Sequence, residues 1–143
     1  MRRLLIFPLL TLLLLSGCSS SPLEMPDGLS WRAEMLLEDD LLLAAAEDYP
    51  TRQNVPVLDV TAQIENGTIT LTDHADGTTY EGTVTPSWNS TSTAAVYTLS
   101  LSSQPPGYAV YGFTEYQDGS QEGTLYLVSG GKTLYLTAPL PEA

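Results

Sequence analysis

Basic residues are scarce in this chain: five Lys and Arg stand against 17 Asp and Glu, for a formal net charge of −12. Nucleic-acid binding rests on Lys and Arg neutralising phosphates. Adhesion to anionic lipid rests on a basic patch. The charge argues against both, and it suits solubility and self-repulsion outside the cell. Histidine and cysteine are scarcer still, with His74 and Cys18 the only ones. A single Cys closes no intramolecular disulfide. One His without a second His or a spare thiol supports neither a His/Cys metal site nor a nucleophile–base pair.

The one long apolar run is Leu4 to Leu15, interrupted by Pro8 and Thr11, behind Arg2 and Arg3 and ahead of Ser16 and Gly17. Charge, apolar core and small residues in that order make a secretory signal peptide. The run falls short of the roughly 20 residues that a bilayer crossing needs. Leu15-Ser16-Gly17-Cys18 resembles the lipobox of bacterial lipoproteins. That resemblance implies diacylglycerylation of the Cys18 thiol, cleavage between Gly17 and Cys18, and a mature chain held to the membrane by palmitate-type acyl chains. Each buried methylene contributes about 0.8 kcal/mol, so two or three chains anchor stably where one does not. Losing Arg2 and Arg3 leaves Arg32, Arg52 and Lys132 against the same acids. Residues 18–28 begin with Ser19-Ser20-Ser21-Pro22 and read as a flexible tether. In a two-membrane envelope, Ser rather than Asp after the Cys implies sorting to the outer membrane.

Residues 29–143 suffice for one domain with one core. From Val57 onward the pattern is strand and turn. Val60, Ala62 and Ile64 alternate with polar residues, Asn66-Gly67 comes next, and Thr68 to Thr72 alternates again. Asn-Gly between two alternating runs is the strongest short hairpin signal, because a type I′ turn needs positive φ at both central residues. Further strands are expected over Thr78–Thr85, Ala95–Ser102, Tyr108–Tyr116, Thr124–Ser129 and Lys132–Thr137. Ser30–Leu37 reads as a first strand in which only Leu36 spoils the alternation, and Asp40–Asp48 reads as a short helix or lid. The expected fold is all-β, an antiparallel meander of seven to eight strands closing as an up-and-down barrel or packing as a sandwich. Its inward set is Trp31, Met35, Leu71, Tyr80, Leu99, Leu101, Leu125, Leu127, Leu134 and Leu136.

Trp31 early in a first strand, an excursion, then Asn66 to Leu71 and Gly77 to Val84, resembles small lipocalin-like domains on bacterial lipoproteins. The resemblance implies a barrel and, with it, a carrier of a small apolar or amphipathic molecule. It departs from that family at Gly28-Leu29-Ser30-Trp31, one residue longer than Gly-x-Trp.

Chemical motifs are thin. His74 lies in a turn, Asp73 to Gly77, with no Gly-x-Ser-x-Gly to complete a hydrolase set. Gly130-Gly131-Lys132-Thr133 looks like the end of a P-loop, but Tyr126 stands where the first Gly belongs and the segment joins strand to strand. Asp73 with Asp76, and Asp118 with Glu122, lack the denser oxygen spacing of a calcium loop. No catalytic residue, metal or cofactor is expected. The candidate ligand-binding residues are the aromatics Tyr108, Tyr111, Phe113, Tyr116 and Trp88, for a small apolar ligand or an envelope protein partner.

Overall fold

The computed structural model describes residues 21–50 and 54–142. The export signal, the cleavage pair Gly17 and Cys18 and the lipid site on Cys18 lie outside the described residues. Nine strands run in order: β1 (Ser30–Glu38), β2 (Leu41–Ala45), β3 (Val60–Glu65), β4 (Thr68–Asp73), β5 (Thr78–Pro86), β6 (Ala95–Leu101), β7 (Gly107–Glu115), β8 (Gln121–Ser129) and β9 (Lys132–Pro139). From β3 to β9 each strand pairs antiparallel with the next, and β9 returns to β1, which pairs β3. The chain is therefore a closed, eight-stranded antiparallel barrel with β2 as an extra strand, not a sandwich.

Two-residue turns set the register. Asn66 and Gly67 both have positive φ, 51° and 77°, and join Glu65 to its partner Thr68. The same geometry corrects the expected helix over Asp40–Asp48. Asp39 and Asp40 have φ of 47° and 62°, so β1 reverses directly into β2 with Glu38 opposite Leu41. Asp tolerates this left-handed region because its short polar side chain bonds locally. Pairing with β1 then overrides the helix propensity of the Leu-Ala run. The described residues contain no helix.

A β-bulge in β1 explains Leu36. Ala33 faces Leu136 and Met35 faces Tyr135, so Glu34 is an extra residue that the partner strand does not match. The bulge reverses the facing of the rest of β1. Trp31 and Ala33 point inward before it, and Leu36, paired with Leu134, lines the interior after it. Met35, expected inside, instead packs outside, where it accepts a 3.7 Å hydrogen bond from the Tyr49 hydroxyl through Sδ. The other residues expected inside are all in the core or packed against it. No polar or charged residue is buried among the described residues.

The barrel's two ends differ. At one end, Leu23, Met25 and Leu29 pack against the core, and backbone N–H groups of Leu23 and Gly28 bond to Thr91 O and Ile64 O. Here Trp31 stands edge-on to Tyr111, ring centroids 6.1 Å apart at 82°. Leu23 to Gly28, grouped with the tether on composition, lies against the barrel and closes it. The opposite end carries the β1–β2, β4–β5, β6–β7 and β8–β9 turns and is open.

Candidate functional site

The open end holds the candidate site. Inward residues of adjacent strands meet there in rows: Leu71 opposite Tyr80, and Leu127 opposite Leu134, which also faces Leu36 across the barrel closure. With Leu99 and Leu101 they line an apolar mouth of about 190 Å³, rimmed by Gln104, Ser129 and Lys132. Deeper in, Leu99, Leu125 and Leu136 are 1%, 0% and 0% exposed and fill the barrel. The mouth is therefore a recess on a packed core rather than a through-cavity. Its rim is polar and its floor is aliphatic, an arrangement suited to the apolar end of an amphipathic group.

Lys132 stands out electrostatically. The one salt bridge among the described residues joins Arg32 to Asp48 on the barrel exterior. That pairing lowers the Asp48 carboxyl below its ordinary range and raises the Arg32 guanidinium. Lys132 carries no such partner and brings a positive charge to the edge of an apolar recess.

The structure separates the five aromatic candidates. Tyr111 is in the core, 2% exposed, and its hydroxyl is pushed up by burial. Tyr108 is exposed on the outside of β7. Phe113 and Tyr116 are exposed toward the closed end, where Tyr116 donates to Glu122 Oε1 at 3.1 Å. Trp88 projects from the loop between β5 and β6 and is 96% exposed. None of the five lines the mouth. Sequence reading placed Tyr80 and most of the mouth's leucines inside the barrel but did not join them into a site. It missed Leu36, Gln104, Ser129 and Lys132. The signal for Leu36 was its break in the alternation.

The remaining polar motifs serve turns. His74 Nε2 lies 2.8 Å from Thr61 Oγ1 on the exposed surface. Asp73 Oδ1 accepts from the Ala75 N–H, and Asp76 Oδ1 from the Thr78 N–H, each at 2.9 Å. Asp118 Oδ1 accepts from the Ser120 N–H and hydroxyl. Hydrogen bonds from Thr78 and Ser120 hold the Asp76 and Asp118 carboxyls below their ordinary range. Gly130 and Gly131, φ 59° and 78°, form the tight turn between β8 and β9. No three His, Cys, Asp or Glu side chains gather among the described residues.

Compared with known proteins, the chain matches no family model, no curated protein and no solved structure.

Proposed function

We propose that this chain is a cell-envelope lipoprotein, anchored through lipid on Cys18, with a non-catalytic binding or interaction role exerted at the barrel's open end. The observation that carries the binding role is the apolar mouth, where Leu36, Leu71, Tyr80, Leu99, Leu101, Leu127 and Leu134 face a recess that no segment of the described chain covers. Its volume, about 190 Å³, decides the mode of binding. A dry cavity of about 150 Å³ holds a single benzene ring, whereas pockets that engulf drug-sized ligands run from roughly 300 to 1,000 Å³. The mouth grips one apolar end, a short aliphatic tail or a protruding side chain, and leaves the rest of the partner outside.

A lipocalin-like carrier is the second reading. The closed eight-stranded barrel with an apolar mouth supports it. It requires the leucines at the mouth to move apart before a whole ligand enters.

Native mass spectrometry of the acylated protein purified from its host tests the proposal. Leu101→Lys places a charge on the partly exposed mouth without touching the buried floor. A small molecule or protein that co-purifies with the native chain and is lost from this variant supports binding at the mouth. Retention in the variant, or turnover abolished by His74→Ala, overturns it.

A further inference from the structure

The closed end has a different partner. Its plug is the segment that runs back toward Cys18. Leu23 N–H donates to Thr91 O at 2.8 Å, Met25 N–H to the Tyr97 hydroxyl at 2.9 Å, and the Asp27 carboxylate accepts from Asn66 N–H at 3.2 Å. The chain therefore leaves the barrel beside Thr91, and Thr91 belongs to the loop that carries Trp88.

That loop is braced. Ser87 N–H bonds to Val96 O, Thr91 N–H to Ala94 O, and Val96 N–H to Ser90 Oγ, all between 2.8 and 2.9 Å. An ordered loop thus holds an indole 96% exposed, next to a cleft of about 500 Å³ shared with Pro22, Leu23 and Met25. A single exposed hydrophobic is ordinary, but Trp88 adjoins Pro22, Leu23 and Met25 along this cleft, and contiguous apolar surface of that kind marks a contact site.

Chain length says which surface. Leu23 lies five residues after Cys18. Fully extended chain spans at most about 3.6 Å per residue, so Leu23 stays within roughly 18 Å of the lipidated residue, and Thr91 of the Trp88 loop is one hydrogen bond farther. The open mouth is a strand's length farther away. Trp is the side chain that settles at the membrane–water interface, with its ring among the headgroups. The charge nearby selects the lipid. Glu24 and Asp27 sit on the plug and Glu65 beside the Asn66-Gly67 turn, so an anionic surface is repelled and a zwitterionic one is not.

We propose that the closed end docks on the zwitterionic headgroup layer of the membrane that holds the Cys18 anchor, with Trp88 inserted, so that the mouth faces away from the bilayer. The proposal rests on the lipid-anchored reading above. Fluorescence tests the two separately. Trp31, 1% exposed, and Trp88 are the only tryptophans, so iodide in water reports on Trp88 alone.

Protein purified from host membranes is reconstituted into phosphatidylcholine vesicles, and its mass gives the acylation of Cys18. The expected result is loss of the iodide-quenchable emission, quenching instead by bromine-labelled acyl chains, and absence of both responses in Trp88→Phe. Added phosphatidylglycerol restores part of the iodide access. Acylated protein whose Trp88 stays fully open to iodide on the vesicles overturns the docking and leaves the anchor standing. If the mass shows no acyl chain, the anchor reading fails. The chain from Cys18 onward, which keeps every strand, is then coupled through its only thiol to a maleimide lipid in the same vesicles. Protection of Trp88 there supports the docking surface, and full iodide access overturns it.

Discussion

Gly123 is where a single methyl group tests the packing of the closed end. It faces inward on β8, and a Cβ there meets Trp31 Cη2 at 2.9 Å, Trp31 Cζ3 at 3.3 Å and Leu140 Cδ2 at 3.2 Å. Leu140 presents the tip of a flexible side chain that can turn away. Trp31 cannot yield as easily, because it is 1% exposed and held edge-on by Tyr111. Overpacking of this kind costs about 1–3 kcal/mol. Alanine also restricts the unfolded chain relative to glycine, which offsets about 0.4–1 kcal/mol. The crowding wins, and Gly123→Ala is expected to lose roughly 0.5–2.5 kcal/mol. In a domain of this length that lowers Tm by roughly 2–12 °C. Thermal unfolding followed by far-ultraviolet circular dichroism measures it. Trp31→Phe supplies the control, since it removes both crowding ring atoms. It also removes Trp31 Nε1, a buried donor with no partner. On that background Gly123→Ala is expected to be neutral or stabilising. The two sites then couple by about 1–3 kcal/mol, within the range for residues in contact. Equal losses in both backgrounds refute the reasoning.

Two further outcomes concern the strands. Replacing Asp39-Asp40 by Asn-Gly suits the positive φ at both positions and is expected to raise stability by about 0.5–1 kcal/mol in urea unfolding. A turn remodelled to another geometry, with no gain, contradicts the assignment. Tyr135, stacked on Tyr126 with centroids 4.9 Å apart, has its hydroxyl pushed by burial from 10.0 up to about 12. The folded chain keeps this proton where the unfolded chain has lost it, so stability is full below pH 10 and falls as pH rises toward 12. Tyr135→Phe is expected to make that alkaline decline shallower, and an unchanged slope in pH-dependent urea unfolding speaks against it.

Much of the barrel was legible in the sequence because period-two alternation and turn chemistry act locally. Asn66-Gly67 and the runs Val60–Glu65 and Thr68–Asp73 needed nothing beyond their own residues to form a hairpin. Two of the features that escaped, the bulge and the mouth, depended on partners distant in the chain. Glu34 becomes a bulge only against β9, where its carboxylate accepts a 3.0 Å hydrogen bond from the Thr137 hydroxyl. Without β9, Leu36 looks like an error in the pattern. Leu41–Ala45 has the composition of a helix and becomes a strand because β1 offers an edge beside it. The mouth was hidden for a related reason. Its residues come from β1, β4, β5, β6, β8 and β9, each unremarkable as a core leucine or tyrosine, and only closure sets them around one opening. The aromatics drew attention through their concentration over Tyr108–Tyr116, yet alternation sends Tyr108 outward and Tyr111 into the core, and position at the strand's end leaves Phe113 and Tyr116 exposed at the closed rim.

The bulge also decides how the barrel closes. Ahead of it, β1 pairs β3 over Ser30–Arg32; beyond it, the same edge of β1 pairs β2 over Met35–Glu38. Between β1 and β3 the wall near the mouth is therefore not a continuous ladder. It is completed by β2 and by Pro56–Leu58, where Ala45 N–H donates to Pro56 O, Leu58 N–H donates to Ala45 O, and Leu58 packs against the core. On its other edge β1 pairs β9 directly, and the ladder from β9 to β8 is unbroken from Glu122–Pro139 to the Ser129–Lys132 pair at the turn. A wall assembled from a hairpin and a loop opens locally at lower cost than an uninterrupted antiparallel ladder. The mouth thus has a continuous stretch of wall, bearing Leu127, Leu134, Lys132 and the Leu36 paired with Leu134, and a pieced stretch able to give beside it, on the other edge of β1. A recess too small for a whole ligand gains an adaptable edge, and it does so at the end of the barrel farthest from the plug that leads to Cys18.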